Sequence, residues 1–322
     1  MLTVLGEAVV DLVAEGERRF VAHPGGSPLN VAVGLGRLGQ PTSLAARLSR
    51  DAFGALFREH LDSAGVDPRH LVAAEEPSTL AVATLDAAGV ASYDFWTEGT
   101  ADWQWTAAEL AGVVDDETVV LHTGSIALEL EPGASRIVEL LRRIRHAGRT
   151  AISYDPNVRM ARRGSAAEGR RSVERVVALA DLVKVSSEDL GWLYPGEDPV
   201  VAARRWSGIG PSLVVVTLGS GGAVALPAGG GQLARPAPPV TVVDTVGAGD
   251  AFMSGLLAAL ADRGALRPRA DLSGVDVAAV LDRACLVAAL TCARAGADPP
   301  TLDDVRAAER DLESSAASGG AA

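Results

Sequence analysis

The chain has 322 residues, 48% of them hydrophobic, enough for one large α/β domain or a little more. Its formal net charge is −12, with 41 acidic residues against 29 basic ones, which argues against binding nucleic acid by neutralising phosphates. Apolar runs are broken by Asp, Arg or Gly well short of a membrane span, and Cys285 and Cys292 lack CxxC spacing, so no disulfide framework or zinc site is expected.

Leu2-Thr3-Val4-Leu5 opens the chain as a strand, with no charged region or apolar signal core before it, from which a cytoplasmic location is expected. Val4 to Val13 reads as one strand with Gly6-Glu7 in its middle, returning as a hairpin through Arg18-Arg19-Phe20-Val21. Asp11 then sits where the strand leaves the core, as a turn acid or as a ligand. His23 to Asn30 is a loop into a helix, with Ser27 as N-cap and Pro28 at the first helical position. Asn30 falls in the first turn beside Gly25 and Gly26, where backbone can touch a small polar ligand or simply turn.

Gly34-Leu35-Gly36-Arg37-Leu38-Gly39 spells GxGxxG, but these glycines lie inside or at the end of the helix begun at Ser27. The following strand, Ser43 to Leu48, ends in Ser49-Arg50 rather than an acid, so a Rossmann dehydrogenase is rejected. Asp51 caps a helix running to Ala64. Thr79 to Leu85 and Val90 to Trp96 form a hairpin that interrupts the βα pattern, and with the early hairpin it makes a small sheet suited to a lid.

From Val119 the βα alternation is regular. Strands are expected at Thr118–His122, Thr150–Tyr154, Asp181–Val185, Leu213–Thr217 and Thr241–Val243. Helices are expected at about Pro132–Ala147 and Ser165–Ala180, with shorter ones in Ser186–Trp206. Such alternation implies a mostly parallel sheet covered on both faces, with ligands at the carboxyl ends of its strands. Leu281 to Ala293 is an apolar helix packing on that sheet, and 313–322 reads as a disordered tail after a domain spanning 1–312.

Among the strand ends, Val240 to Gly255 says most. Val240 to Val243 reads as the end of a buried strand, Gly247-Ala248-Gly249 as a turn, and Ala251 to Ala261 as a helix. Unpaired N–H groups and the positive end of the helix dipole make this turn a site for an anion, most economically a phosphate. Asp250 stands among those amides, either as a first-turn acid complementing the dipole or as a base for a hydroxyl attacking that phosphate. Lys184 is the only lysine, between Val183 and Val185, so a Walker A loop and the protein-kinase glycine loop are both excluded. HExxH and GxSxG are absent from the sequence.

Asp244 to Phe252 resembles the C-terminal signature of the ribokinase-like (PfkB) sugar kinases, and Gly25 to Ala32 through Gly39 resembles their N-terminal one. The resemblance runs from Leu2 to about Val305. It implies a ribokinase-like three-layer α/β sandwich with a mostly parallel central sheet and a small β lid from about 9–23 and 79–96. By that similarity Asp250 is the catalytic base, and Gly247, Ala248 and Gly249 form the anion hole. Asp11, Gly25, Gly26, Asn30, Tyr93 and Arg159 would serve the sugar, and Thr217, Gly219 and Gly222 the nucleotide. Asp244 would help hold a monovalent cation. The family often has Asn-x-x-Glu after the fourth core strand for Mg²⁺ and phosphate; Ser186 and Asp189 stand there, with a shorter reach. ATP and Mg²⁺ are implied as cofactors, with K⁺ as a further cation.

Gly6-Glu7 with Asp11, Leu121 to Ser125, Gly99 to Trp103 and Lys184-Val185-Ser186 resemble the fructokinase branch. Asp155-Pro156-Asn157-Val158-Arg159 is shared with 2-keto-3-deoxygluconate kinases. There Arg159 could meet a carboxylate or phosphate, or simply form an ion pair with Asp155 or a neighbour. Fructose is the expected acceptor, the keto-deoxy acid second, and ribose or a nucleoside third. A non-catalytic sugar or nucleotide sensor and a purely structural partner are the rivals of another class. A homodimer through the exposed lid edge is also expected.

Overall fold

The computed structural model describes residues 1–15, 19–85, 91–159 and 164–319, with 83–85, 91–93 and 315–319 described by backbone alone. Its first apolar run divides between two sheets. β1 (Leu2–Leu5) is buried at every position in the central sheet, and β2 (Val9–Ala14) belongs to a smaller one. The single strand expected over Val4–Val13 is thus two, with Gly6-Glu7-Ala8 crossing between layers. β3 (Phe20–Gly25) returns antiparallel to β2 and leads into α1 (Ser27–Arg37).

Next come β4 (Thr42–Ser49), α2 (Ala52–Ser63), β5 (Leu71–Ala74), and the hairpin β6 (Thr79–Leu85) and β7 (Ala91–Trp96). Asp51 caps α2 as expected, accepting from the Gly54 N–H at 2.8 Å. The later elements alternate: α3 (Ala107–Ala111), β8 (Val120–Gly124), α4 (Gly133–Ala147), β9 (Ala151–Asp155), α5 (Ala166–Val177), β10 (Leu182–Ser186), α6 (Ser187–Leu193), α7 (Pro199–Trp206) and β11 (Leu213–Thr217). β12 (Ala223–Pro227) and β13 (Leu233–Arg235) add an antiparallel edge, and α8 (Ala248–Asp262), α9 (Val277–Cys292) and α10 (Leu302–Gly319) follow. α10 continues through 313–319, where a disordered tail is expected from sequence; 320–322 lie outside the described residues.

Among the described residues the central sheet has nine strands in the order β13-β12-β11-β10-β9-β8-β1-β4-β5. Successive side chains alternate between two cores. Leu213 and Val215 of β11 join the cluster under α1, α8 and α9, whereas Val214 and Val216 join the one under α4 to α7. Apolar residues on both faces of parallel strands therefore give the expected three layers.

The lid is a four-stranded sheet in the order β3-β2-β6-β7, with β2 and β6 parallel. The turns at 16–18 and 86–90 lie outside the described residues. Buried Asp102 ties the roots of both central lid strands, accepting from the Ala8 N–H at 2.8 Å and the Thr79 hydroxyl at 2.5 Å. That is the structural work of the Gly99–Trp103 stretch.

No strand forms at 241–243. Pro236, Pro238 and Pro239 deprive the preceding segment of N–H donors, β13 already occupies the edge, and Val242 and Val243 are 59% and 62% exposed. The glycines of the GxGxxG run serve packing instead of a dinucleotide. A side chain on Gly34 would strike Ser254 of α8, and one on Gly36 would strike the Ala64 carbonyl. Gly34→Val is expected to lower stability by ~1–3 kcal/mol through overpacking and to reduce turnover in the same preparation. Denaturant titration and a kinase assay check this; an unchanged unfolding midpoint contradicts it.

Candidate active site

Two helix starts meet over the carboxyl ends of the strands. α1 begins behind Gly26 at φ 98°, and α8 begins behind Gly247 at φ 74°, where a Cβ would stand 2.6 Å from that of Ala297. Glycine is the residue that takes this conformation without strain. Ser27 is therefore the first helical residue of α1 and not its N-cap, which frees its side chain. Its hydroxyl donates to Asp250 Oδ1 at 2.6 Å, and Asn30 Nδ2 donates to Oδ2 at 2.9 Å. A carboxylate accepts about four hydrogen bonds, so Asp250 keeps lone pairs for another donor. Asn30 Oδ1 is buried and accepts no hydrogen bond among the described residues.

Asp250, Asn30, Asp11, Gly26, Arg159, Gly247 and Gly249 line one polar cavity of about 710 Å³. Gly25 does not line it; the Asp11 carboxylate occupies the space its side chain would need. Tyr93 pairs with Ala83 along the lid, but its side chain lies outside the described residues. Arg159 is not bound to Asp155. Its guanidinium donates to the Val158 carbonyl at 3.2 Å, while Asp155 pairs with Lys184 at 2.5 Å. The cavity also contains Glu7, Ser125, Asn157, Lys184 and Glu188, which the sequence reading does not place there. Ser125 and Asn157 belong to stretches the sequence marks as family-like, and both have positive φ angles, 57° and 38°, which a sequence does not show.

A second, mostly apolar pocket of about 450 Å³ lies on the other side of the α8 start. Thr217, Gly219, Gly222 and Ala248 line it with Val240, Val242, Phe252, Cys285 and Cys292, so the β-branched run expected as a strand is a pocket wall. Both cavities share Thr245 and Gly249. The turn before α8, whose Ala248 N–H donates to the Thr245 carbonyl at 3.2 Å, thus stands on the seam between a polar cavity and an apolar one.

Ser186 and Asp189 line neither cavity. Ser186 caps α6, accepting the Asp189 N–H at 3.0 Å, and Asp189 is buried, while its neighbour Glu188 faces the polar cavity. Asp244 lies beneath the turn. Burial acts to raise its pKa, but the N–H groups of Val246 at 3.0 Å and Gly296 at 2.8 Å hold the carboxyl below its ordinary value. Among the described residues no cluster of three His, Cys, Asp or Glu forms a cage for a metal. A divalent ion carried by nucleotide phosphates needs no such cage, since one or two carboxylates and water complete it.

Burial sets the other charges. It pushes Asp11 up to about 6, helped by the Asp250 charge nearby. It pushes Glu7 up to about 8, against a hydrogen bond from Ser125, and buried His122 down to about 3, with the Lys184 charge acting the same way.

A glycine turn at a helix start, a carboxylate beside it, a polar cavity on one side and an apolar one on the other suit a phosphotransferase acting on a small polar acceptor. The chain matches the family of pfkB carbohydrate kinases over residues 1–304, and it belongs to that family. It is 40% identical over 266 residues to a fructokinase of Klebsiella pneumoniae, covering 81% of this chain and 84% of that one. Its fold is similar to a fructokinase of Xylella fastidiosa solved with bound ATP, at a TM-score of 0.86 and 26% identity over 97% of this chain and 98% of that one. A fructokinase from Vibrio cholerae O395, solved with fructose, ADP and calcium ion, superposes with a TM-score of 0.77 at 29% identity, covering 92% and 94%. The protein is a carbohydrate kinase, and no helix among the described residues is long and apolar enough to cross a membrane.

Glu7 offers a test of this electrostatic setting. Between its ordinary value of 4.5 and about 8 the folded chain binds the extra proton, so stability falls as pH rises through that window, by up to ~1.4 kcal/mol per unit. Melting curves from pH 5 to 8.5 should show Glu7→Gln gaining on the wild type as pH rises; parallel profiles contradict it.

Proposed function

We propose that the chain transfers the γ-phosphoryl of ATP to a hydroxymethyl group of fructose, with Asp250 as the base. The observation that carries this reading is the seam: Asp250 and the Gly247–Gly249 amides sit where the polar and apolar cavities meet. Sugar in the polar cavity would be held by Asp11, Asn30 and Gly26, with Tyr93 and the lid strands above it. The adenosine part of ATP suits the apolar pocket beside Thr217, Gly219 and Gly222, with its phosphates reaching the α8 start.

In the reaction the sugar oxygen attacks in line while its proton passes to Asp250, and the amides meet the charge on the transferred group. Ser27 and Asn30, both donating to the carboxylate, would aim it. Mg²⁺ would supply charge neutralisation at the phosphates; Glu188, which lines the polar cavity, would help hold it, with Ser186 and Asp189 shaping the helix that carries it. Asp244, held ionised under the turn, suits a monovalent cation such as K⁺. An ATP-dependent kinase of this kind fits the cytoplasm. Exposed Val13, Phe20 and Trp96 on the lid favour a homodimer through that sheet, which sedimentation velocity tests directly.

A second acceptor is favoured by one specific feature. The Arg159 guanidinium lines the cavity with only a main-chain carbonyl as partner among the described residues, so it could engage the carboxylate of 2-keto-3-deoxygluconate. ADP release over fructose, 2-keto-3-deoxygluconate and ribose ranks these acceptors. Asp250→Asn is expected to keep ATP and sugar binding while turnover drops at least ~100-fold; turnover near normal removes Asp250 from the chemistry. Ionisation of Asp11 near its raised value of about 6 is expected to make kcat/KM for sugar rise from pH 5 to 7. Asp11→Asn should lose that limb, and retention of it assigns the ionisation elsewhere.

A further inference from the structure

We infer that the amino-terminal edge of the central sheet carries a second anion site, fitted to a phosphate or phosphomonoester and separate from the catalytic cavity. The inference depends neither on the identity of the sugar nor on the role of Asp250.

The site is built around one carboxylate. Asp181 stands just before β10, 5% exposed, at the opposite end of that strand from Ser186. Its Oδ2 accepts the Ile152 N–H at 2.9 Å, which fixes it to β9. Its Oδ1 accepts twice, from Arg145 Nη1 at 2.5 Å and from the main-chain N–H of Arg269 at 2.9 Å. One oxygen thus joins the last turn of α4 to the loop that follows α8. A cavity of about 280 Å³ opens there, lined by Arg145, His146, Thr150 and Arg269 beside Asp181. β9 is 5 residues long, so roughly 16 Å of strand separates this cavity from the end that carries Asp155.

Charge in the cavity is unbalanced. Among the described residues Asp181 is the one acid that lines it, and its carboxylate is already paired with Arg145. The Arg269 guanidinium has no acidic partner among the described residues. In a chain of net charge −12, such an excess of positive charge is a local feature and not the background. Arg145 and His146 alone are what a helix C-terminus favours, because cations suit the negative end of its dipole. Arg269 belongs to no helix, so the dipole does not account for it.

The backbone points the same way. Arg269 has φ 51°, a left-handed conformation that a long side chain rarely takes. The other non-glycine residues with positive φ among the described ones are Ser125 and Asn157, and both line the catalytic cavity. Such positions gather where a side chain is presented to a ligand. What two guanidinium groups present is a set of forked N–H donors that match phosphate oxygens. A phosphate, carrying about two negative charges, balances the excess; the uncharged hydroxyls of a free sugar do not.

The test is calorimetric titration of the kinase saturated with fructose and a non-hydrolysable ATP analogue, which fill the catalytic cavity first. Inorganic phosphate and glycerol 3-phosphate are the probes, each against wild type and Arg269→Asn. Asparagine tolerates the left-handed backbone and removes the charge; Arg269→Gly replaces it if that variant fails to fold. Expected are a single phosphate site per chain, an affinity at least ~10-fold weaker in the variant, and further weakening with added salt. The kcat of the variant at saturating substrates should stay within ~2-fold of wild type, since Arg269 lies at the far end of the sheet. Tighter binding of glycerol 3-phosphate assigns the site to an ester, and tighter binding of inorganic phosphate assigns it to the free ion. No phosphate bound to the filled kinase, or equal affinity in wild type and variant, overturns the inference.

Discussion

The site depends on one contact between distant parts of the chain: Asp250 at the start of α8 accepts hydrogen bonds from Ser27 and Asn30 at the start of α1. The helices can come this close because Gly34 leaves room for Ser254 one turn further along α8. Each helix start alone would be an anion site with its dipole and free amides. Placed face to face, they fix a carboxylate between them, which on the proposed reading is where an acceptor hydroxyl and a phosphate would meet. Proximity of that kind is worth more than any single interaction in the pocket.

The lid is anchored to the same point. β1 ends in the core and β2 begins in the lid, and the residues between them include Glu7, which faces the cavity. Asp102 ties Ala8 and Thr79 where both central lid strands leave the core. Asp11 sits on β2 at the inner surface of that sheet, close enough to Asp250 for the two charges to raise its pKa. A lid strand therefore carries one of the acids that line the polar cavity.

Much of this was legible in the sequence because it is local. The regular βα alternation from β8 onward, the Asp51 cap and the β6–β7 hairpin follow from periodicity and turn chemistry, and the structure matches them to within a few residues. The glycine turn before α8 and the small-residue entry to α1 announced themselves by composition. What escaped was set by tertiary neighbours. Val240–Val243 has the residues of a strand, but the edge was already filled and prolines precede it, so the valines became a pocket wall. Asp189 stands where the family's glutamate is expected, yet α6 turns it into the core and presents Glu188 instead. Lys184 stands out in the sequence as the only lysine, but its closeness to Gly249 and its pairing with Asp155 depend on tertiary neighbours.

The most direct measurement is a crystal structure with fructose and a non-hydrolysable ATP analogue. The terminal phosphate is predicted to lie against the amides of Gly247 to Gly249, with a sugar hydroxyl at hydrogen-bond distance, about 2.6–3.2 Å, from Asp250. A terminal phosphate bound away from the α8 start, or an Asp250 still held only by Ser27 and Asn30 with no hydroxyl in reach, would contradict it.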